Sequence, residues 1–289
     1  MKNLNLLFNK TYYEGLGSNG FSVDSSNREL EGTRFDHSCD YTEPPAVVTH
    51  RFCMRTAYPG LLIGIGNPHG IKNVDNDISV GFSFDYVTGQ PFIPGSSVKG
   101  MLRSCFKYHP EVVAGLAGIE DVSALEKQIF DDGDVFFDAV VFDGDRSGHL
   151  LGSDFITPHK DAVSDPVPVR ILKILPDVRF EFRFGLEDKG ITAENKKALF
   201  LELLELFGIG AKTNVGYGVL KRADDRITPR AQAPAPRPAP RPAPRPAPRP
   251  APTQSQPEKR RCPHCGQMSY ARYRDGNPRT TCSLCRKPF

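Results

Sequence analysis

Residues 179–184 alternate one position at a time, with Phe180, Phe182 and Phe184 on one side and Arg179, Glu181 and Arg183 on the other. A two-residue period of this kind predicts an antiparallel strand buried on one face. The period then changes. Residues 192–207 open on Thr192, a good N-cap, carry Glu194 in the first turn, and place Leu199, Leu203, Leu206 and Phe207 on one stripe. That pattern predicts an amphipathic helix, ended by Gly208. Residues 215–221 return as a final strand. Upstream, residues 45–54 (centred on Val47 and Val48), 61–65 (before the turn Gly66-Asn67-Pro68) and 135–142 read as strands. Residues 98–107 read as a helix with Ser96 or Ser97 as its cap. Residues 14–45 are polar, rich in Gly and Ser and without clear period, which predicts a long insertion or mobile loop. Strands interleaved with two helices predict an α+β fold with a mainly antiparallel sheet, in a heavily elaborated ferredoxin-like βαββαβ order.

This pattern stops near residue 228. From 233 to 252 every second residue is proline, and 237–252 is Arg-Pro-Ala-Pro four times over. Such a segment forms no helix or sheet ladder and takes up polyproline II, so residues 229–257 reach roughly 90 Å when extended. Its arginines, four apart on a three-residue turn, wind around the axis. The plain reading is a solvated spacer and the sharper one a diffuse electrostatic tether for RNA. The expected organisation is a body over 1–228, a linker over 229–257 and a small module over 258–289.

The formal net charge of +3 hides a division: residues 229–289 hold 13 Lys and Arg against 2 Asp and Glu, residues 1–228 hold 24 against 32. A nucleic-acid site in the acidic body must therefore be a local patch. Two windows lack any carboxylate: 86–110, with Lys99, Arg103 and Lys107, and 207–222, with Lys212, Lys221 and Arg222. The sequence has no apolar run of about 18 residues to span a bilayer and no signal-peptide pattern at residues 1–9, so a soluble cytoplasmic protein is expected. The seven cysteines agree, because their scatter is not that of a secreted disulfide framework.

Each acid-free window contains a glycine motif. The first is Pro94-Gly95-Ser96-Ser97-Val98-Lys99-Gly100, a turn leading into a basic helix. Lys99 and Arg103 are four apart, hence on one helix face, and could contact consecutive phosphates, while N–H groups after Ser96 and Ser97 would add an anion site. The second is Gly208-x-Gly210-x5-Gly216-x-Gly218, with Lys212, Thr213 and Asn214 at its apex, placed to reach phosphate or 2′-hydroxyl groups. The plain alternatives are a surface helix with solvated charges and a turn closing a helix onto a strand. Catalysis has less behind it: His69 or His159 could serve as a general base beside RNA, though a lone loop histidine is more often a polar contact. Asp131, Asp132, Asp134 and Asp138 could ligate a divalent metal but read better as a solvated turn before a strand.

The glycine loop at 208–218 resembles the signature loop of the RAMP superfamily of CRISPR proteins, and Gln90-Pro91-Phe92-Ile93-Pro94-Gly95-Ser96-Ser97-Val98-Lys99-Gly100 resembles the approach to that family's first helix. The stretches 154–159, 165–168 and 207–213 narrow the resemblance to the subunit at the guide 3′ end in type III-B (Cmr) complexes. It runs from about residue 47 to 221. The resemblance implies a ferredoxin-like fold and a non-catalytic subunit that holds guide RNA near its 3′ end, touches target RNA and packs against sister RAMP subunits. Because related RAMP proteins process guide precursors, a metal-independent endoribonuclease is the first rival, and a protein adaptor that docks sister subunits and recruits another factor through its tail is the second.

The module at the end lies outside that resemblance. Cys262-x2-Cys265 and Cys282-x2-Cys285, with sixteen residues between the pairs, have the spacing of a four-cysteine zinc ribbon; two redox disulfides are the alternative. A hairpin turning at Asp275-Gly276-Asn277-Pro278 should join the two knuckles. About 30 residues make too small a core to fold without such a staple. Arg260, Arg261, Arg272, Arg274, Arg279, Arg286 and Lys287, with Tyr270 and Tyr273, suit nucleic acid, and a protein partner fits nearly as well.

Overall fold

In the computed structural model, residues 3–35, 46–64, 66–72, 74–157 and 168–223 are described, together with 259–270, 273–274, 277–278, 282, 285 and 287. The chain divides into two units, residues 1–227 and 228–289. The first begins with two helices, α1 (Leu4–Asn9) and α2 (Val23–Glu31). Next come β1 (His50–Thr56), β2 (Phe92–Ile93), α3 (Gly95–Tyr108), α4 (Pro110–Ala117), α5 (Val122–Phe130), β3 (Val135–Phe136) and β4 (Ala139–Asp143). The unit closes with β5 (Leu151–Ile156), β6 (Val169–Ile174), β7 (Arg179–Gly185), α6 (Ala193–Phe207) and β8 (Leu220–Arg222).

The main sheet runs β2-β4-β7-β1-β8, with β3 also on β7, and every neighbouring pair is antiparallel. The fold is thus α+β with antiparallel sheets. Helix α3 lies between β1 and β4 in the chain and α6 between β7 and β8. The apolar positions of the sheet, Phe52, Met54, Val141, Phe180, Phe182, Phe184 and Leu220, join Val98, Leu102 and Phe106 of α3 and Leu199, Phe200, Leu203 and Leu204 of α6 in one buried cluster. Aromatic contacts knit it, with Phe52 and Phe182 centroids 5.6 Å apart and Phe184 and Phe200 5.3 Å apart. Thr192 caps α6 by accepting from the Asn195 N–H. The helix buries Lys196 as well as Leu199, Leu203 and Leu204, and Leu206, expected on the apolar stripe, is exposed. Among the described residues no helix is long and apolar enough to cross a membrane.

Several elements differ from the pattern read in the sequence. Strand β7 is not half-buried, since Arg179 and Glu181 are buried along with the phenylalanines. Glu181 is closed in by Arg51 at 3.4 Å and Arg183 at 2.6 Å, and Arg179 stacks over Phe142 at 4.6 Å, so charge pairing and a ring cover the polar side. Residues 14–45 are not simply a loop: α2 occupies 23–31 and buries Asn27 and Leu30, and Asn27 accepts a hydrogen bond from Tyr12 at 2.8 Å. Residues 36–45 of that stretch lie outside the described residues. Strand β1 starts at His50, leaving Val47 exposed. Of the run 61–65, the described residues 61–64 contribute a single bridge, Leu61 to Ile174. Residues 135–142 split into β3 and β4 because Asp138 is drawn off to α3. The last strand shortens to β8, with Thr213–Val215 forming a 3₁₀ turn before it.

The second unit contains β9 (Lys259–Arg261) paired with β10 (Met268–Tyr270), and β11 (Tyr273–Arg274) paired with β12 (Asn277–Pro278). Asn277 and Pro278, expected in the turn, are already in the returning strand.

Candidate functional site

Helix α6 ends at Gly208, and the chain folds back on itself through the glycine loop. The Ile209 N–H donates to the Gly218 carbonyl at 2.9 Å, the Gly218 N–H to the Gly60 carbonyl at 2.8 Å, and the Ala211 N–H to the Leu62 carbonyl at 2.9 Å. The loop is therefore clamped across residues 60–62, at the start of the short apolar run that forms no strand. A Cβ on Gly208 would meet the Gly218 carbonyl oxygen at 2.5 Å, so the two ends approach as only glycine permits. Ile209 and Tyr217, between the paired glycines, are buried.

Tyr217 ties the loop to the β5–β6 hairpin. Its hydroxyl donates to Asp154 Oδ2 at 2.7 Å, and Lys173 Nζ reaches the same oxygen at 2.9 Å. Burial pushes the Tyr217 hydroxyl up to about 12, and the bond to Asp154 adds to it. Burial alone would raise the Asp154 carboxyl, but the hydrogen bonds from Lys173 and Tyr217 outweigh it and hold the group below its usual range.

At the apex Lys212 takes the left-handed conformation (φ 59°), and Lys212, Thr213 and Asn214 are all exposed. The first N–H groups of a helical turn have no partner within it. The ion-paired lysines among the described residues are Lys173, Lys189, Lys196 and Lys197, so Lys212 keeps its charge available.

The start of α3 departs from expectation. Neither Ser96 nor Ser97 caps it; Asp138 Oδ1 accepts the Gly95 N–H at 2.7 Å, and the Ser97 and Val98 N–H groups turn back to the Pro94 carbonyl. A carboxylate thus already occupies the positive end of the helix, which weakens it as a phosphate site. Ser96 and Ser97 remain exposed. Lys99 and Arg103 share a face, as their spacing requires, but that face is turned to α5. Lys99 Nζ donates to the Phe130 carbonyl at 2.6 Å and lies 5.8 Å from the Phe136 ring centroid. Arg103 bonds Glu126 at 2.8 Å and grips Asp131 with two nitrogens at 3.0 and 3.2 Å.

The other acidic side chains of the expected turn are also engaged. Asp132 lies 3.8 Å from Lys189, and Asp134 is buried with Lys196 at 2.6 Å, so it is not part of a solvated turn. His69 is in the core: its ring stacks on Phe8 at 3.7 Å, and Nδ1 and Nε2 face the carbonyls of Ile78 and Phe8 at 2.8 and 2.9 Å. His159 lies outside the described residues.

What the fold does bring together is the glycine loop and the opposite side of α3. Between them is a cleft of about 490 Å³. Residues 208–211 and Thr213 form one wall, and Ser97, Met101, Ser104, Cys105, Tyr108 and His109 another, with residues 62–64 at its floor. The His109 ring stacks on Phe207, centroids 4.5 Å apart. Burial pushes the Cys105 thiol up to about 11 and keeps it protonated. No motif in the sequence singles out Met101, Ser104, Tyr108 or His109, although the acid-free window 86–110 runs through all four.

In the second unit the Sγ atoms of Cys262, Cys265, Cys282 and Cys285 lie within 4.8 Å of one another and could hold a metal ion. Cys262 and Cys285 sulfurs are 3.7 Å apart, Cys265 and Cys282 3.9 Å. Four sulfurs around a tetrahedral zinc sit about 3.8 Å apart, whereas a disulfide needs about 2.0 Å. Both knuckles close with the same bond, Cys262 N–H to the Gln267 carbonyl at 3.0 Å and Cys282 N–H to the Lys287 carbonyl at 2.8 Å.

The sequence pattern of the RAMP superfamily matches residues 54–221. The chain is 30% identical over 213 residues to the CRISPR system CMR subunit Cmr6 of Saccharolobus solfataricus, covering 68% of this chain and 67% of that protein. Among solved structures, it resembles a chain of the type III-B Cmr-beta complex bound to cognate target RNA (25% identity, TM-score 0.46, 60% of this chain and 57% of that one). It also resembles Cmr6 from Pyrococcus furiosus (22% identity, TM-score 0.41, 60% of this chain and 97% of that one).

Proposed function

The chain belongs to the RAMP superfamily, and on that footing we propose that it is a non-catalytic RNA-binding subunit of a type III-B CRISPR effector complex. In this reading it holds guide RNA near the 3′ end and contacts target RNA and sister RAMP subunits from the cytoplasm. The observation that carries the proposal is the cleft, where two glycine motifs more than a hundred residues apart in the chain wall one concave site, with the exposed Lys212 between the wall residues Ala211 and Thr213. The exposed Thr213 hydroxyl and Asn214 carboxamide suit phosphate and 2′-hydroxyl oxygens. Ser97 lines the cleft and Ser96 is exposed beside it in the first turn of α3, and Gly208, Gly210, Gly216 and Gly218 shape the loop.

The sheet order, with α3 and α6 as its crossovers, fits a ferredoxin-like core over residues 1–228. Residues 229–257, the polyproline spacer expected from composition, lie outside the described residues, and in this reading 258–289 are a ribbon in which Cys262, Cys265, Cys282 and Cys285 hold a structural zinc. That ion would supply the ribbon's fold and no chemistry on RNA.

The test is to purify the tagged protein from its host and sequence the RNA that comes with it. Short guides with a shared repeat-derived 5′ tag and ragged 3′ ends are expected. Intact repeat precursors point to the processing nuclease instead, and an RNA-free assembly to the adaptor.

A further inference from the structure

We infer that the cleft between α3 and the glycine loop receives one unpaired nucleotide of the bound RNA, its base against the His109–Phe207 ring pair and its phosphate at Lys212. This rests on the RNA-binding reading above and names the occupant of that site.

Three observations carry it. The volume, about 490 Å³, is in the range of a small-molecule pocket and admits a nucleotide but no duplex. Among the described residues, no Asp, Glu, Lys or Arg lines it. A neutral interior suits a base, whose edges can meet the Ser97 hydroxyl and loop backbone, and gives a charged peptide or metabolite nothing to pair with. Finally, Thr213 belongs both to the wall and to the exposed apex beside Lys212, so an occupant can keep its anionic part outside the neutral walls. The stacked pair, 4.5 Å between centroids, joins the C-terminal ends of α3 and α6 and leaves His109 exposed. Bases stack on such rings whatever their identity, so little sequence preference follows.

The experiment irradiates the full-length protein, purified with its retained RNA, with short-wave ultraviolet light, then digests it and maps nucleotide adducts by mass spectrometry. Adducts are expected on the peptides containing Tyr108 and His109 or Phe207 to Thr213. His109→Ala, at an exposed position, should lower their yield roughly tenfold per mole of RNA retained. Adducts confined to other peptides, with RNA retained, overturn the inference and leave RNA binding standing. Cleft adducts that vanish after exchange into nucleotide-free buffer, the RNA remaining, assign the cleft to a free nucleotide and also overturn it. Absence of RNA from the preparation overturns the RNA-binding reading and this inference with it.

Discussion

Gly218 lies so close to Ile209 that a Cβ built on it would sit 1.9 Å from the Ile209 carbonyl oxygen. That oxygen belongs to backbone and cannot swing away, and φ at Gly218 is +76°, where other residues are strained. Gly216 has a φ of +96°, but its nearest neighbour is Pro59 Cδ at 3.9 Å. Gly218→Ala should therefore combine backbone strain of about 1–3 kcal/mol with a clash that displaces the loop, whereas Gly216→Ala should show strain of roughly that size alone. Thermal unfolding of the two variants separates these effects. Equal losses of stability would mean that close approach contributes nothing.

Lys196 and Asp134 form an ion pair with side chains 0% and 1% exposed, 2.6 Å apart. Asp134 also accepts the Glu187 N–H at 2.9 Å, so it fixes the turn before α6 as well as the helix. Removing one partner strands a buried charge, and Asp134→Asn or Lys196→Met should cost about 3–5 kcal/mol. The double variant should recover part of that stability. Chemical denaturation of all four proteins completes the cycle, and strictly additive effects would contradict the pairing.

The same pair shows where the sequence stops being informative. Phe180, Phe182 and Phe184 announce a strand through their period, and Thr192 to Gly208 announce a capped helix, because those signals are local. Lys196 is indistinguishable in sequence from the lysine beside it, since its partner is 62 residues upstream. The spacing of Lys99 and Arg103 correctly puts them on one face of α3, but the direction of that face depends on α5, which no period of α3 encodes. The cap supplied by Asp138, 43 residues from Gly95, is hidden for the same reason. At the site, the glycines and the lysine are legible as motifs. The cleft is not, because Met101, Ser104 and His109 acquire meaning only when the loop is packed opposite them.

Lys212 and the pair Lys99 and Arg103 should accordingly behave differently. Lys212→Ala removes an available charge at the loop apex, so it should weaken RNA retention and lower the salt dependence of binding by about 0.7 in log–log slope for each phosphate no longer neutralised. Lys99→Ala and Arg103→Ala break bonds to α5 and its C-terminal turn and should lower thermal stability while leaving that slope unchanged. Filter binding across a salt series, beside melting curves, decides. A slope change in Arg103→Ala would place its guanidinium on RNA after all.

The link between the glycine loop and the β5–β6 hairpin should depend on pH at both ends. Asp154 is held below its ordinary range, so its contribution is present above the unfolded value of about 3.9 and is lost as pH falls through the lower folded value. Tyr217 is raised to about 12, so its contribution is complete below the unfolded value and is lost as pH rises through the folded one. Melting temperature against pH should show Asp154→Asn flattening the acid limb and Tyr217→Phe the alkaline limb. Variants that merely shift the whole curve downward would show packing without titration.

In the C-terminal unit, sulfur spacing favours a metal over disulfides: 3.7 and 3.9 Å suit a tetrahedral edge and exceed an S–S bond by more than about 1.5 Å. A module this short buries too little apolar surface to fold unaided, so metal binding and folding should be one equilibrium. Purified protein should carry about one zinc per chain, and a strong chelator should remove it. The β9–β10 hairpin should then lose its amide protection from hydrogen exchange, and Cys265→Ser should do the same without chelator. Reductant alone should have no effect on the zinc-loaded protein. If reductant unfolds the hairpin and chelator leaves it intact, the four sulfurs are paired with one another and the zinc assignment is wrong.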